Sequence, residues 1–246
     1  SLANINQGLE MLGEDYKVVK HNFLINAKSK YKYTLNELKL ICHLIANILP
    51  TDTNLETKKV SMRDLNFIVA DSNNYSKIGK ELEDISSKPF KLPNGYIVNW
   101  FSCLKYENGF IEYSFDTRLK EFLLNLNSNF TSYYLTNVLN LKSSYSIRIF
   151  ELLFQLKDKG YRTIFLSDLR ECLNIPDSYS NKDIRRLIQN VQKDLQLHTT
   201  IQFEFTLVKK GKSFHKVEFI IKNNKKVKGV SYSLANNKNA TIKPKA

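Results

Sequence analysis

The stretch SYSNKDIRRLIQNVQKDL (178–195) places Lys182, Arg185 and Arg186 in the first two turns of an expected helix. The helix macrodipole is positive there, so acidic side chains would be the stabilising ones. A bound polyanion resolves the conflict. On a wheel of roughly 100° per residue, Ile184, Leu187, Ile188, Val191 and Leu195 cover one sector. Lys182, Arg186, Gln189 and Lys193 gather opposite, with Asn181 and Arg185 toward one flank. Arg and Gln carry paired groups that fit the major-groove edges of guanine and adenine, and Lys serves phosphate. Ser180 and Asp183 fit the S-x-x-D capping pattern, so free backbone N–H groups and Arg side chains converge on one anion. A solvated basic face would have the same composition. The tip KKGKS of the following hairpin favours a ligand, because Lys209, Lys210 and Lys212, with Lys216 further along, would form a wing against a sugar-phosphate backbone.

The elements that must position these residues are written twice. TLNELKLICHLIANIL (34–49) has the apolar spacing of an amphipathic helix, with Thr34 and Glu37 as a capping box. KKVSM follows as a strand, RDLNFIVA as a short helix and NYSKIGKELEDISSK as another. Asn-Gly turns at Asn94-Gly95 and Asn108-Gly109 then predict a three-stranded antiparallel meander, and Asp116 an N-cap for TRLKEFLLNL. In the second half, SSYSIRIFELLFQLKDKG predicts a helix ended by Gly160, YRTIFL a strand, and SDLRECLNI a short helix capped by Ser167. The 178–195 helix and the hairpin IQFEFTLVKKGKSFHKVEFIIK complete that half. Asp64-Leu65 lies eleven residues before Tyr75-Ser76, and Asp168-Leu169 lies eleven before Tyr179-Ser180. The fold class is therefore α+β: two tandem winged helix-turn-helix domains related by an internal repeat. The expected division is 1–128 for the first domain, 129–222 for the second as main DNA reader, and 223–246 for a basic flexible tail, with the polar stretch near Asn127 to Thr131 as the boundary.

Charge follows the same division. Of a net +13, residues 1–129 hold 16 basic and 15 acidic side chains, residues 130–222 hold 15 and 9, and the tail holds 6 and none. The excess favours an acidic partner. In the first copy the face opposite Ile78 offers Ser76, Lys80 and Glu83, a weakly charged set suited to self-association, or to holding phosphates through Lys77 and Lys80. No apolar run reaches the roughly 18 residues of a membrane span, and no secretory pattern opens the chain, so the expectation is a soluble cytosolic protein without a membrane role.

Catalytic constellations are missing from the pattern. His21, His43, His198 and His215 are dispersed, with no His-x-His pair to hold a metal beside a nucleophilic tyrosine, which argues against a nicking enzyme. Gly211-Lys212-Ser213 resembles the end of a P-loop, but Thr206 stands where that motif needs Gly, and a hairpin tip is the wrong setting. Cys42, Cys103 and Cys172 are far apart and expected as buried free thiols. The reading is a binder, not an enzyme, with no cofactor and no metal.

The segments LKSSYSIRIFELLFQLKDKG (141–160), FLSDLRECLNIPDSYSNKDIRRLIQNVQKDL (165–195) and FEFTLVKKGKSFHKVEFII (203–221) resemble plasmid replication initiators of the iteron-binding Rep superfamily, built from two winged-helix domains. VVKHNFLINAKSKYKYTLNELKLICHLI (18–45) and FIEYSFDTRLKEFLLNL (110–126) agree more loosely. The resemblance implies a bacterial cytoplasmic protein that binds short direct repeats in a plasmid origin as double-stranded DNA, assists duplex opening, and recruits the host replication initiator and helicase. It also implies binding as a homodimer at an inverted repeat in its own promoter. Carried over, Lys182, Arg185, Arg186 and Gln189 would face the groove, Ser146 and Arg148 would touch phosphate, Lys209 to Lys212 would form the wing contact, and Ser76, Lys77 and Lys80 would be the first domain's share. The alternative is a winged-helix transcription repressor without origin function.

Overall fold

The computed structural model describes residues 16–62, 65, 75–225 and 227 of the 246. The chain runs through β1 (Lys17–His21), α1 (Asn22–Asn26), α2 (Leu35–Ala46), β2 (Lys58–Ser61), α3 (Tyr75–Ser86), β3 (Phe90–Lys91), β4 (Ile97–Val98), β5 (Phe101–Glu107) and β6 (Phe110–Phe115). A 3-10 turn (Thr117–Leu119) leads into α4 (Lys120–Leu123), followed by β7 (Phe130–Tyr134), α5 (Thr136–Leu139) and α6 (Ser144–Phe154). Then come β8 (Tyr161–Phe165), α7 (Leu166–Leu173), α8 (Asn181–His198), β9 (Ile201–Lys210) and β10 (Ser213–Asn223). The short helix expected over RDLNFIVA lies outside the described residues, as does most of the expected tail.

The repeat is visible in the sheets. One has the order β2-β6-β5, the other β8-β10-β9, so in each unit the strand after the first long helix pairs antiparallel with the returning arm of a hairpin. The alternation that predicts the second hairpin is also its packing. Phe203, Leu207, Val217, Phe219 and Ile221 are buried, and each large apolar side chain removed from water contributes about 1.5–3 kcal/mol. Helix starts follow local chemistry. Thr34 Oγ1 accepts the Glu37 amide at 3.1 Å while Glu37 Oε2 accepts the Thr34 amide at 2.7 Å. Asp116 caps the 3-10 turn by accepting the Arg118 amide.

Several sequence expectations are corrected. The meander is divided: β3 pairs only with β4, and Asn99-Trp100 separates that pair from β5, with β2 taking the remaining place beside β6. Trp100, buried against Phe90 at 5.1 Å between ring centroids, turns the chain there. Helix α6 ends at Phe154, and Gly160, at φ +79°, closes the turns that follow. Helix α7 begins at Leu166 with Phe165 in the cap position, so Ser167 does not cap it. Cys103 is exposed and Cys172 half-buried, leaving only Cys42 as a buried thiol.

The division expected at 128/129 is crossed by a ladder. β1 pairs antiparallel with β7 from Lys17↔Tyr134 to His21↔Phe130. The polar stretch before β7 is a pair of tight turns, with Asn125 and Asn129 at φ 50° and 53°, and Asn129 O accepts the Asn22 amide at 2.7 Å. Behind the ladder lies a buried ionic cluster. Lys20 pairs with Glu151, whose Oε1 also accepts Tyr133 Oη at 2.5 Å and whose Oε2 accepts Arg148 Nη1 at 3.1 Å. Burial alone would raise the Glu151 carboxyl, but the Lys20 and Arg148 cations outweigh it and hold it below the usual range. The cluster joins β1 to α6 across the division expected from the sequence, and the apolar core is continuous through it. At the other end, Asn224 extends the described structure past β10, its Nδ2 donating to Gln196 O and Thr199 O.

Candidate nucleic-acid interface

Helix α8 begins where its sequence requires. Asp183 Oδ2 accepts the Ser180 amide at 2.9 Å and Ser180 Oγ at 2.6 Å, and Ser180 Oγ accepts the Asp183 amide at 3.3 Å. These Ser180 hydrogen bonds, then the Arg186 and Lys182 cations, hold the Asp183 carboxyl below its ordinary value. The preceding turn is pinned by Arg170, which donates to Pro176 O at 3.0 Å and Tyr179 O at 2.7 Å. Ile184, Leu187, Ile188, Val191 and Leu195 are buried, and Gln192 Nε2 ties the helix to β9 through Phe203 O at 2.8 Å.

Asn181, Lys182, Arg185, Arg186, Gln189 and Lys193 are all exposed. None of the four cations among them forms an ion pair with a carboxylate among the described residues. The wing stands beside this stripe. Gly211 at φ +65° closes a hairpin whose Lys209, Lys210 and Lys212 face solvent. Phe214 braces wing and helix together: Arg185 Cζ lies 5.6 Å from its ring centroid and Lys209 Nζ 5.7 Å. Sequence reasoning missed Phe214 and the turn-pinning Arg170. For Phe214 the available signal was an aromatic residue directly after the basic tip.

Three residues expected in the interface stand elsewhere or are already paired. Ser146 is buried, its Oγ 2.9 Å from Ser143 Oγ. Arg148 points inward, where its guanidinium donates to Ile25 O at 2.8 Å and Ala27 O at 3.3 Å, carbonyls at the end of α1, as well as to Glu151. Neither can touch phosphate in this arrangement. Lys216 Nζ is 2.7 Å from Glu218 Oε1, so its charge is half-shielded on the outer face of the sheet.

The corresponding surface of the first unit is balanced. On α3, Lys80 is exposed beside Glu83 and Asp84, while the side chains of Ser76 and Lys77 lie outside the described residues. Asp84 and Glu37 both hold the buried Lys88 Nζ, at 2.6 and 2.7 Å, and Glu81 Oε1 accepts Asn36 Nδ2 at 3.0 Å. The β5–β6 wing ends in Glu107-Asn108-Gly109, and Glu107 pairs with Lys105 at 2.9 Å. Among the described residues no group of three or more His, Cys, Asp or Glu is placed to hold a metal, and no helix is long and apolar enough to cross a membrane.

Two units, each carrying a hairpin wing and sharing one sheet topology, define a tandem winged-helix protein. Residues 17–154 match the family described as "Initiator Replication protein, WH1", and residues 166–221 match "Initiator Rep protein, WH2". The chain belongs to this family of replication initiators. The structure is similar to one described as "Crystal structure of Pi initiator protein in complex with iteron DNA", with a TM-score of 0.65 and 17% identity over 85% of this chain and 98% of that one. No curated protein matches the chain.

Proposed function

We propose that this chain initiates plasmid replication by binding direct repeats of an origin, with α8 in the major groove and the β9–β10 wing on the adjoining backbone. The observation that carries this reading is the exposed stripe from Lys182 to Lys193, cationic, amide-bearing and without carboxylate partners among the described residues. The N-terminal turn of α8 supplies backbone N–H groups where Lys182, Arg185 and Arg186 add charge, so its approach to a phosphate or guanine edge is favoured twice. The similarity to an initiator described in complex with iteron DNA supports the choice of target. The first unit would lie along the neighbouring stretch through Lys80, Lys77 and Ser76, with weaker hold on DNA. Duplex opening, recruitment of the host initiator and helicase, a homodimer on the promoter, and action in the bacterial cytoplasm belong to the same reading. It assigns the chain no catalytic step, so its work is binding and deformation of DNA.

The test is selection of duplexes from a random pool by the full chain, followed by gel shifts at physiological salt against scrambled controls. A repeated site spanning about two major-groove turns, bound with steep salt dependence, is expected. Binding without preference over scrambled DNA would remove the proposal. A plasmid carrying the gene and its flanking DNA, in a host lacking other initiators, should replicate; failure there with intact site binding would leave a repressor.

A further inference from the structure

The loop 27–33, between α1 and α2, belongs to the first unit by sequence but is fastened to the second. At its start Arg148 of α6, still within the segment matched as WH1, holds the carbonyls of Ile25 and Ala27, and the fastenings to the second unit follow. Asn174 Nδ2, in the turn that closes α7, donates to Ser29 O at 2.5 Å. Lys28 Nζ sits 2.8 Å from Asp168 and 2.9 Å from Glu171, both on α7. At its far end Tyr33 Oη donates to Lys88 O at 3.1 Å, returning the loop to the first unit. Burial alternates along it: Ser29, Tyr31 and Tyr33 are half-buried, while Lys28, Lys30 and Lys32 are exposed. Inward residues therefore anchor the loop and the lysines are turned out.

The three lysines differ in what faces them. Lys28 is neutralised by two carboxylates, a clasp between units. Lys30 and Lys32 have no carboxylate partner among the described residues. Lys30 Nζ lies 5.8 Å from the Tyr31 ring centroid, and Lys32 Nζ donates to Tyr145 Oη at 2.8 Å and sits 4.4 Å from that ring. Aromatic faces thus orient both cations without cancelling their charge. The loop flanks the turn that launches α8, since Asn174 stands six residues before the Ser180 cap.

We propose that Lys30 and Lys32 form a further DNA-backbone contact at the junction of the two units, gripping phosphates between the grooves that the units occupy. This rests on the reading of the chain as a duplex-DNA binder. Because the loop is pinned to both units, such a contact fixes their spacing on DNA without reading bases. It also strengthens the first unit's hold on DNA, which its own helix and wing, near charge balance, supply only weakly.

The experiment compares the full chain with Lys30→Ala/Lys32→Ala and Lys30→Arg/Lys32→Arg. The probes are a duplex enriched by the wild-type protein from a random pool and its scrambled version, titrated from about 50 to 200 mM salt. The alanine pair should flatten the slope of log K against log salt by about 1.8, near 0.9 per lost phosphate contact, with the same fold loss on both duplexes. The arginine pair should restore the slope, and phosphate-ethylation interference between the two grooves should vanish in the alanine pair alone. An unchanged slope and interference pattern overturns the inference while leaving the site reading intact. A loss confined to the enriched duplex also overturns it, since that would be base reading. If the wild-type chain shows no preference for any duplex, the site reading falls, and the inference with it.

Discussion

The second wing ends in Lys209, Lys210 and Lys212, and the first ends in Glu107, Asn108 and Gly109, although both close hairpins of the same topology beside the same kind of sheet. Their helices diverge in the same way. On α8 the outward cations stand unpaired among the described residues, whereas on α3 the outward charges are mixed and Asp84 is committed to the Glu37–Lys88 pair that anchors the helix to α2. The shared positions are the buried ones: Ile78, Leu82 and Ile85 in one helix, Ile184, Ile188 and Val191 in the other, at i, i+4 and i+7. Packing preserves the repeat, and the solvent face is free to diverge, so duplication of a fold here does not imply duplication of a binding surface.

The largest effect is expected at the buried cluster behind the β1–β7 ladder. Glu151→Ala leaves Lys20 and Arg148 buried beside no carboxylate, and removing one member of a buried charge cluster costs about 3–5 kcal/mol. Urea unfolding should show that loss in a single transition; two transitions would mean that the units are stabilised separately. Next in size is acid sensitivity of the first unit. Burial pushes the His43 imidazole down to about 4. Its contribution is complete above the ordinary value near 6.5 and is lost as pH falls toward about 4, on the order of 3 kcal/mol. Unfolding midpoints of wild type and His43→Leu between pH 7 and 4 should diverge accordingly, the variant being flatter.

A smaller effect contrasts the two helices. Arg186→Ala should weaken binding to the enriched duplex by about 1–3 kcal/mol and spare scrambled DNA, whereas Lys80→Ala should weaken both equally and lower the salt slope by about 1. Equal behaviour of the two variants in gel shifts would erase the assigned difference. Smallest is the gain expected from making the first wing like the second. Glu107→Lys should steepen the salt slope by about 1 if that wing approaches phosphate, and leave it unchanged if it faces away.

What was legible in the sequence was local. Both capping boxes, at Thr34/Glu37 and Ser180/Asp183, depend on residues three apart, and the division of α8 into apolar and cationic faces depends on helical period alone. What was not legible depended on distant partners. Arg148 is drawn inward by carbonyls at Ile25 and Ala27, more than a hundred residues earlier, and nothing near it in sequence announces them. The Asn-rich stretch before Phe130 has the composition of a linker, and only the pairing of β7 with Lys17–His21 makes it a turn. Lys216 reads as part of the wing by its position after the basic tip, yet Glu218, two residues on along the same strand face, is its partner.

The β1–β7 ladder has a consequence for dissection. Cutting the chain after residue 128 would part Lys20 from Glu151 and leave β7 as an unpaired edge, so two separately expressed pieces should each be poorly folded and should regain structure when mixed. Reconstitution from halves, with α8 and its wing recovering only in the presence of the amino-terminal piece, is the behaviour that such interleaving dictates.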